Sequence, residues 1–205
     1  MEIPHHFVLY GGTALALRLG HRASVDFDFF SAEPFHPETL RCTLKLAEGA
    51  EILQSTASTL TLRTSGHLGV RFSFFGGLTL GQIEPPDCCP ENALLVAGLK
   101  DLFATKLNVI YQRSESKDYL DVDALLQAGL GLDLGLGCAR AVYGPGFNVM
   151  LPLKALAYFE DGDLPMLSED LKARLLAAVK SFQSPASVVR HSDRILPAVP
   201  AAPTL

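Results

Sequence analysis

The feature that most constrains the fold is a short alternating segment near the N-terminus, VDFDFF at residues 25–30. Alternation of polar and apolar side chains with a period of two is typical of a β-strand. Successive side chains of a strand point to opposite faces, so Asp26 and Asp28 share one face and the apolar residues share the other. Two like charges roughly 6–7 Å apart repel each other unless a cation lies between them. The segment therefore predicts either a Mg²⁺ site or an acidic strand that is paired with nearby arginines.

A second element, Gly11-Gly12-Thr13, lies between an apolar run at 7–10 and strong helix formers at 13–19. Glycines at such a turn let backbone N–H groups approach a phosphate, and the following helix offers its positive N-terminal end. Thr13 is a candidate helix cap or a hydroxyl ligand to phosphate. Gly-Gly alone is also common in ordinary turns. Followed by a helix and a two-carboxylate strand, however, it predicts a site for a nucleoside triphosphate and its Mg²⁺.

The order of the predicted elements indicates an α+β fold, with a small mixed sheet followed by a helical half. The expected strands are 7–10, 25–30 and 68–75, and the expected helices are 13–19, 37–47, 91–112, 117–128, 133–143, 152–160 and 168–182. The polar and β-branched stretch at 51–63 is not assigned. Near residues 85–90 the sequence changes from mixed strand and helix patterns to mostly helical patterns. This change predicts an α/β core at 1–88, a helical domain at 89–183 that completes the site, and a Pro-rich tail at 184–205. We expect the tail to be extended or loosely held.

Composition excludes several classes of protein. With 48% hydrophobic residues the chain is close to the globular average, which excludes a disordered or collagen-like protein. A net charge of −5 gives no general attraction to nucleic acid, so phosphate binding has to be local. The four cysteines contain no C-x-x-C pair, which favours reduced thiols in a cytoplasmic protein. No segment approaches the ~18 uncharged apolar residues of a membrane helix, so no membrane association is expected.

Two charged residues of the helical half are predicted to face inward. Lys106 lies close to the centre of an apolar helical stripe, and Arg113 lies near the same line. An inward lysine needs an anion, which is either a structural ion pair or a bound phosphate, unless its stem reaches the surface. On the next helix Asp118 lines up with Val122 and Leu125 and also faces inward. It either complements the helix dipole or belongs to the active site.

Two neighbouring carboxylates are predicted to point elsewhere. Asp121 and Asp123 fall on more polar directions of the same helix, away from the apolar line that contains Asp118.

Taken together, these motifs resemble those of the polymerase-β-like nucleotidyltransferases, in which Gly-Gly or Gly-Ser follows an apolar residue and precedes D-x-D or D-x-E. The segments that fit are Tyr10-Gly11-Gly12 and Asp26-Phe27-Asp28. The string GGTALALRLGHRASVDFDFF, with its His-Arg pair before the acidic strand, more narrowly resembles the AbiEii/AbiGii group of nucleotidyltransferase toxins from abortive-infection toxin–antitoxin systems. Lys106 and the K-D-x-x-D segment that contains Asp118 match two further motifs of that group.

This resemblance implies an enzyme that moves a nucleoside monophosphate (NMP) from a nucleoside triphosphate (NTP) to an acceptor hydroxyl and releases pyrophosphate. Its implied cofactor is Mg²⁺, with Mn²⁺ as the alternative, its implied acceptor is RNA such as a tRNA end, and its implied partner is a separately encoded antitoxin. In this resemblance Gly11, Gly12 and Thr13 bind phosphate, and Asp26 and Asp28 bind the metal. Lys106, with Arg22 or Arg113, neutralises charge on the triphosphate. Asp118 orients or deprotonates the acceptor, or completes the metal site. Arg18, Arg22, Arg41 and Lys45 are expected to form a local basic rim.

One departure from the superfamily concerns a third carboxylate that many of its members place on the neighbouring strand. The candidate strand offers Gly69, Arg71 and Ser73 on the receiving face and no acid. Either Asp118 stands in for it, or a second metal ion binds poorly. The alternatives to RNA transfer are transfer to a protein or small molecule, a module that binds a nucleotide or partner without catalysis, and a structural domain with surface acids.

Overall fold

A computed structural model of the 205-residue chain describes residues 3–65, 69–89 and 93–197. The strands are β1 Val8–Tyr10, β2 Asp26–Phe30, β3 Glu51–Thr56, β4 Thr59–Arg63, β5 Arg71–Phe75, β6 Asp87–Cys88 and β7 Leu95–Val96. The helices are α1 Gly11–Leu19, α2 Pro37–Thr43, α3 Leu99–Val109, α4 Ser116–Gln127, α5 Leu132–Tyr143, α6 Met150–Ala155 and α7 Glu169–Ser181. Two short 3₁₀ helices, Lys45–Ala47 and Leu164–Met166, complete the list.

The strands form one mixed sheet in the order β3-β4-β5-β2-β1-β7-β6. The acidic strand β2 lies at its centre, antiparallel to β1 and parallel to β5. On its apolar face, Phe27 stacks on Phe72 and Phe29 stacks on Phe74, with ring centroids 5.0 and 5.1 Å apart. The predicted α+β class and the period-two reading of β2 are confirmed.

Several predicted boundaries are wrong. The helix expected from 91 begins at Leu99, because the apolar residues Leu95 and Val96 form β7 and pair with β1 and β6. The helix expected to run to residue 47 ends at Thr43 and is followed by a 3₁₀ turn. The unassigned stretch at 51–63 is the β3–β4 hairpin. Residues 66–68, at the start of the strand expected from 68, and 90–92 lie outside the described residues.

Helix α3 connects the helical half to the first half of the chain. This helix contacts α5, α4 and α1. Its buried Asp101 accepts hydrogen bonds from the backbone N–H groups of Ile83 and Glu84 at 2.8 and 2.9 Å, which anchors the segment before β6. Because β7 belongs to the sheet, the sheet continues past residue 88, and the proposed division at 88 stays a prediction.

The described part of the predicted tail, residues 184–197, is held against the rest of the chain. The Ala186 N–H donates to the Asp133 carbonyl, and Ser192 pairs with Gln82 through backbone hydrogen bonds. Ile195 is buried in the core. These backbone hydrogen bonds fix a segment that has few large apolar side chains.

Among the described residues, no single helix is long and apolar enough to cross a membrane. Only α4 and α5 taken together reach that length and apolarity, and they meet at an angle of 116°.

The seating of the tail on α5 gives a first prediction. A Cβ atom on Gly137 would collide with the backbone carbonyl of Ala186, so the Gly137→Ala substitution forces the backbone to shift. We expect it to lower the free energy of unfolding by about 1–3 kcal/mol in urea titrations. Gly146→Ala is the matched control, since nothing lies within 4 Å of the added atom. Equal stability of the two variants would show that the tail is not seated as described.

Candidate active site

A cavity of about 670 Å³ opens over the polar face of β2 and β5. It brings together most of the residues singled out in the sequence, namely Gly11, Gly12, Arg22, Asp26, Asp28, Lys106 and Arg113. Thr13 and Asp118 do not line it. The cleft therefore combines two acidic residues of β2, which we call its acidic wall, with three basic residues from α3 and two loops, which we call its basic wall.

The Gly11-Gly12 turn has to be glycine because charged side chains of the cleft lie against it. Gly11 has a φ of +73°, a region that favours glycine, and a Cβ there would lie 2.6 Å from Asp28 Oδ2. A Cβ on Gly12 would collide with the guanidinium of Arg22. The two glycines thus allow the start of α1 to approach both the acidic and the basic wall.

Thr13 has a different position from the one expected. Its hydroxyl donates to the backbone carbonyl of Asp26 and lies 2.9 Å from Ser24 Oγ, and the side chain is buried. The residue before α1 is Tyr10, which makes no side-chain cap hydrogen bond, so the prediction that Thr13 caps the helix is wrong. Thr13 ties α1 to the start of β2 and so holds the turn next to the aspartates.

The two aspartates of β2 have different surroundings. Asp26 is partly exposed and accepts a hydrogen bond at 2.8 Å from Arg71 Nη2, which is the arginine pairing considered as an alternative to a metal site. Burial raises the pKa of Asp28, the guanidinium of Arg71 opposes that rise, and the charge of Asp26 adds to it. Asp28 is therefore a partly buried carboxylate that lacks a full counter-charge.

The pair fits a divalent cation. Both side chains present hard oxygen donors to the same cleft, and a cation there would relieve the repulsion that raises the pKa of Asp28. The facing strand β5 places Arg71 next to Asp26 and Ser73 next to Asp28, so the predicted absence of an acid at these positions is confirmed. Within the described part of the chain, no group of three His, Cys, Asp or Glu side chains is arranged to hold a metal ion.

The basic wall belongs to a cluster of five charged side chains, which we call the Lys106 cluster: Arg22, Lys106, Arg113, Asp118 and Asp121. Lys106 Nζ lies 2.7 Å from Asp118 Oδ1 and 2.6 Å from Asp121 Oδ2. Arg113 donates two hydrogen bonds to Asp118, and Arg22 donates two to Asp121. Both carboxylates are completely buried.

This cluster sets the roles that its members can have. Burial alone would raise the pKa of Asp118, but hydrogen bonding from Arg113 and the charge of Lys106 hold it below its usual value. Arg22 and Lys106 do the same for the pKa of Asp121. The three basic side chains line the cleft, whereas the two carboxylates lie behind them, so the cluster presents a net positive charge to the cleft.

Asp118 faces inward as predicted, but its oxygens are taken up by Lys106 and Arg113. The structure thus gives no support to its expected role as a base or metal ligand in the cleft. What it does support is a positioning role, in which Asp118 aims two cations at the cleft.

Sequence reasoning missed Asp121 and Asp123, which are buried rather than turned toward polar surroundings. The error came from assuming one buried face, whereas α4 is covered by α1, α3 and α7. Asp123 pairs with Arg174 of α7 at 2.6 Å. A signal for Asp121 was present, because residues three apart on a helix are neighbours and Asp118 already faced inward. His21 also contacts Asp121, at 2.7 Å.

The expected basic rim does not form as a unit. Arg18 pairs with Asp87, Arg41 pairs with Glu38, and Arg22 belongs to the Lys106 cluster. Positive charge is instead concentrated in the cleft, where Arg71 and Lys117 join the cluster's three basic side chains.

Comparisons with known proteins agree with this geometry. The model of a family described as "Nucleotidyl transferase AbiEii toxin, Type IV TA system" matches residues 2–201. A protein of Aquifex aeolicus (strain VF5), described as uncharacterized, is 32% identical over 165 residues, which are 78% of this chain and 77% of that protein.

Two solved structures are also similar. The nucleotidyltransferase toxin MenT4 of Mycobacterium tuberculosis H37Rv superposes with a TM-score of 0.50 at 16% identity, over 87% of this chain and 77% of that one. For an antigenic nucleotidyltransferase-like protein from Paracoccidioides brasiliensis the TM-score is 0.45 at 14% identity, over 87% and 85% of the chains. The likeness to MenT4 shows that the fold is that of a nucleotidyltransferase.

The Lys106 cluster gives a prediction on stability. In Lys106→Met two buried carboxylates lose the cation they share, which should cost about 3–5 kcal/mol of unfolding free energy at pH 7. The aspartate pKa values are lowered by folding, so their contribution is complete above the unfolded pKa of about 4 and is lost as the pH falls through the folded values. The difference in unfolding free energy between wild type and variant, measured by urea unfolding, should therefore become smaller below pH 4.

Lys154→Met is the matched control, because Lys154 is exposed on α6 and its loss should change stability by no more than about 0.5 kcal/mol. If Lys106→Met were as stable as this control at pH 7, the buried cluster would not contribute to the fold as described.

Proposed function

Because this chain belongs to the AbiEii nucleotidyl transferase toxin family, we propose that it moves an NMP from a Mg²⁺-bound NTP to a hydroxyl group of an RNA acceptor such as a tRNA. Family membership makes the chain a nucleotidyltransferase and implies a nucleotide substrate and an antitoxin partner. The RNA acceptor and the Mg²⁺ ion are the proposed part.

The observation that carries the proposal is the division of the cleft into two walls. Asp26 and Asp28 line it from β2, whereas Lys106 lines it from α3, and Arg22 and Arg113 line it from loops. A triphosphate needs cations along its oxygens, and its metal needs carboxylates near the reacting phosphorus. The start of α1 at Gly11-Gly12 adds backbone N–H groups between the two walls.

In the proposed reaction, the acceptor oxygen attacks the α-phosphorus of the NTP. The bond from that phosphorus to the oxygen bridging to the β-phosphate breaks, and pyrophosphate leaves with the electron pair. The proton of the acceptor hydroxyl passes to water in the open cleft. A Mg²⁺ ion held by Asp26 and Asp28 polarises the phosphoryl oxygens when it is bound.

The basic wall stabilises the charge that builds up on the leaving pyrophosphate. Lys106 is held between two buried aspartates, so its ammonium group is already in place and does not have to be ordered during the reaction. Asp118 and Asp121 contribute by fixing Lys106, Arg113 and Arg22, without contacting the substrate themselves.

An RNA acceptor is supported by the distribution of charge. The chain is acidic overall, so a polyanion is attracted only where basic side chains are concentrated. Arg113 and Lys117 are partly exposed at the cleft, so both are available to the phosphates that flank an acceptor hydroxyl. The same cleft therefore binds both the donor triphosphate and the acceptor strand in this account.

The test is label transfer from each α-labelled NTP to total cellular RNA in the presence of Mg²⁺. The wild-type chain should label RNA, and Asp28→Asn should reduce labelling at least about 100-fold because the metal site loses one of its two carboxylates. Asp193→Asn is the matched control, since this carboxylate is exposed and lies outside the cleft. It should label RNA at the wild-type rate.

Other outcomes would contradict the proposal in distinct ways. Label on a protein or a small molecule would show that the acceptor is wrong. An NTP that raises the melting temperature but transfers no label would point to a binding module without catalysis. No Mg²⁺-dependent thermal shift with any NTP would mean that the cleft is not a nucleotide site.

A further inference from the structure

A row of four charged residues crosses the sheet on the face that carries the cleft. The strand registers place Glu51 of β3 beside Arg63 of β4, Arg63 beside Arg71 of β5, and Arg71 beside Asp26 of β2. Each arginine pairs with the acid at its own end of the row: Arg63 pairs with Glu51 at 3.4 Å, and Arg71 pairs with Asp26 at 2.8 Å. The row therefore ends with a guanidinium held against the first of the two metal-binding carboxylates.

Arg71 is placed at some cost. Two arginines lie directly opposite each other on neighbouring antiparallel strands, and like charges in that position repel. The Nε of Arg71 is buried and has no hydrogen-bond partner among the described residues. A side chain that only covered the surface would not have to keep a donor buried and unpaired.

The same strand position governs how many cations the cleft can hold. A second divalent ion next to the first requires further oxygen donors, and enzymes with two metal ions hold them about 3.5–4 Å apart. Here the neighbouring strand supplies a guanidinium and the hydroxyl of Ser73, neither of which is a carboxylate. The positive charge of Arg71 beside Asp26 would also repel a second cation.

We infer that Arg71 takes the place of a second metal ion, so that the cleft binds one divalent cation per chain and the guanidinium supplies the other positive charge to the nucleotide. This inference rests on the proposed function. Arg71 is paired with Asp26 before the nucleotide binds. In the complex Asp26 turns to the cation, and Arg71 donates to phosphate oxygens, for which its planar set of N–H donors is suited.

The experiment counts bound Mn²⁺ by electron paramagnetic resonance, using the full chain with an α,β-methylene NTP analogue that cannot be cleaved. The wild-type complex should hold one Mn²⁺. Arg71→Glu adds a third carboxylate beside Asp26 and removes the opposing charge, so its complex should hold two.

Arg71→Gln keeps a polar side chain but loses the charge. Its complex should still hold one Mn²⁺, while the affinity for the analogue should fall about tenfold because a charge-assisted hydrogen bond to phosphate is lost. Arg63→Gln is the matched control from the same row, and it should leave both the ion count and the affinity unchanged. If Arg71→Glu does not fold, as judged by circular dichroism, the Arg71→Gln measurement decides.

The outcomes separate this inference from the function on which it rests. Two Mn²⁺ ions in the wild-type complex, a single ion in folded Arg71→Glu, or an unchanged analogue affinity in Arg71→Gln would overturn the inference and leave the transferase in place. No Mn²⁺ bound by the wild type, or an ion count that Asp28→Asn does not alter, would instead contradict the proposed function.

Discussion

Two carboxylates in the interior of a protein have to be paired, and this requirement organises the structure. Asp118 and Asp121 lie one helical turn apart on α4 with no exposure to solvent, so each needs a cation within contact distance. Lys106 of α3 serves both, and two arginines complete the pairing from different parts of the chain. The position of α4 relative to α3 and to the segment before β2 follows from these contacts.

The same pairing makes the cleft suitable for a triphosphate. Asp118 and Asp121 do not line the cavity, whereas the three basic side chains that they pair with do. The opposite wall belongs to the sheet, where alternation along β2 turns both aspartates to one face. Glycine at positions 11 and 12 lets the backbone lie against both walls without collision. Fold stability and charge placement in the cleft thus depend on the same contacts.

Much of this site could be predicted because it follows from the periodicity of the local sequence. The period of two in VDFDFF places the carboxylate pair, the glycine turn follows from its place between strand and helix, and the period of 3.6 turns Lys106 and Asp118 inward. The lack of an acid facing Asp28 was also evident from the alternation in β5. These inferences use only residues that lie close to one another in the sequence.

The remaining features depend on contacts between distant segments. The two-residue strand β7 is shorter than any periodic signal, and its apolar residues fit a helix equally well. The burial of Asp121 required knowing that α4 is covered on several sides, and the Arg71–Asp26 pair required the strand order. The inward charges pair with one another, so their predicted direction is right, while the contacts of Asp118 with Lys106 and Arg113 were not foreseen.

Within the Lys106 cluster, the ion pair between Arg22 and Asp121 joins the segment before β2 to α4. We expect this ion pair to be strong. A double-mutant cycle with Arg22→Ala, Asp121→Ala and the double variant, followed by urea unfolding at pH 7, measures this directly. We expect a coupling free energy of about 2–3 kcal/mol between the two side chains, because each single variant removes one charged partner from the other side chain. Additive effects, with coupling below about 0.5 kcal/mol, would contradict it.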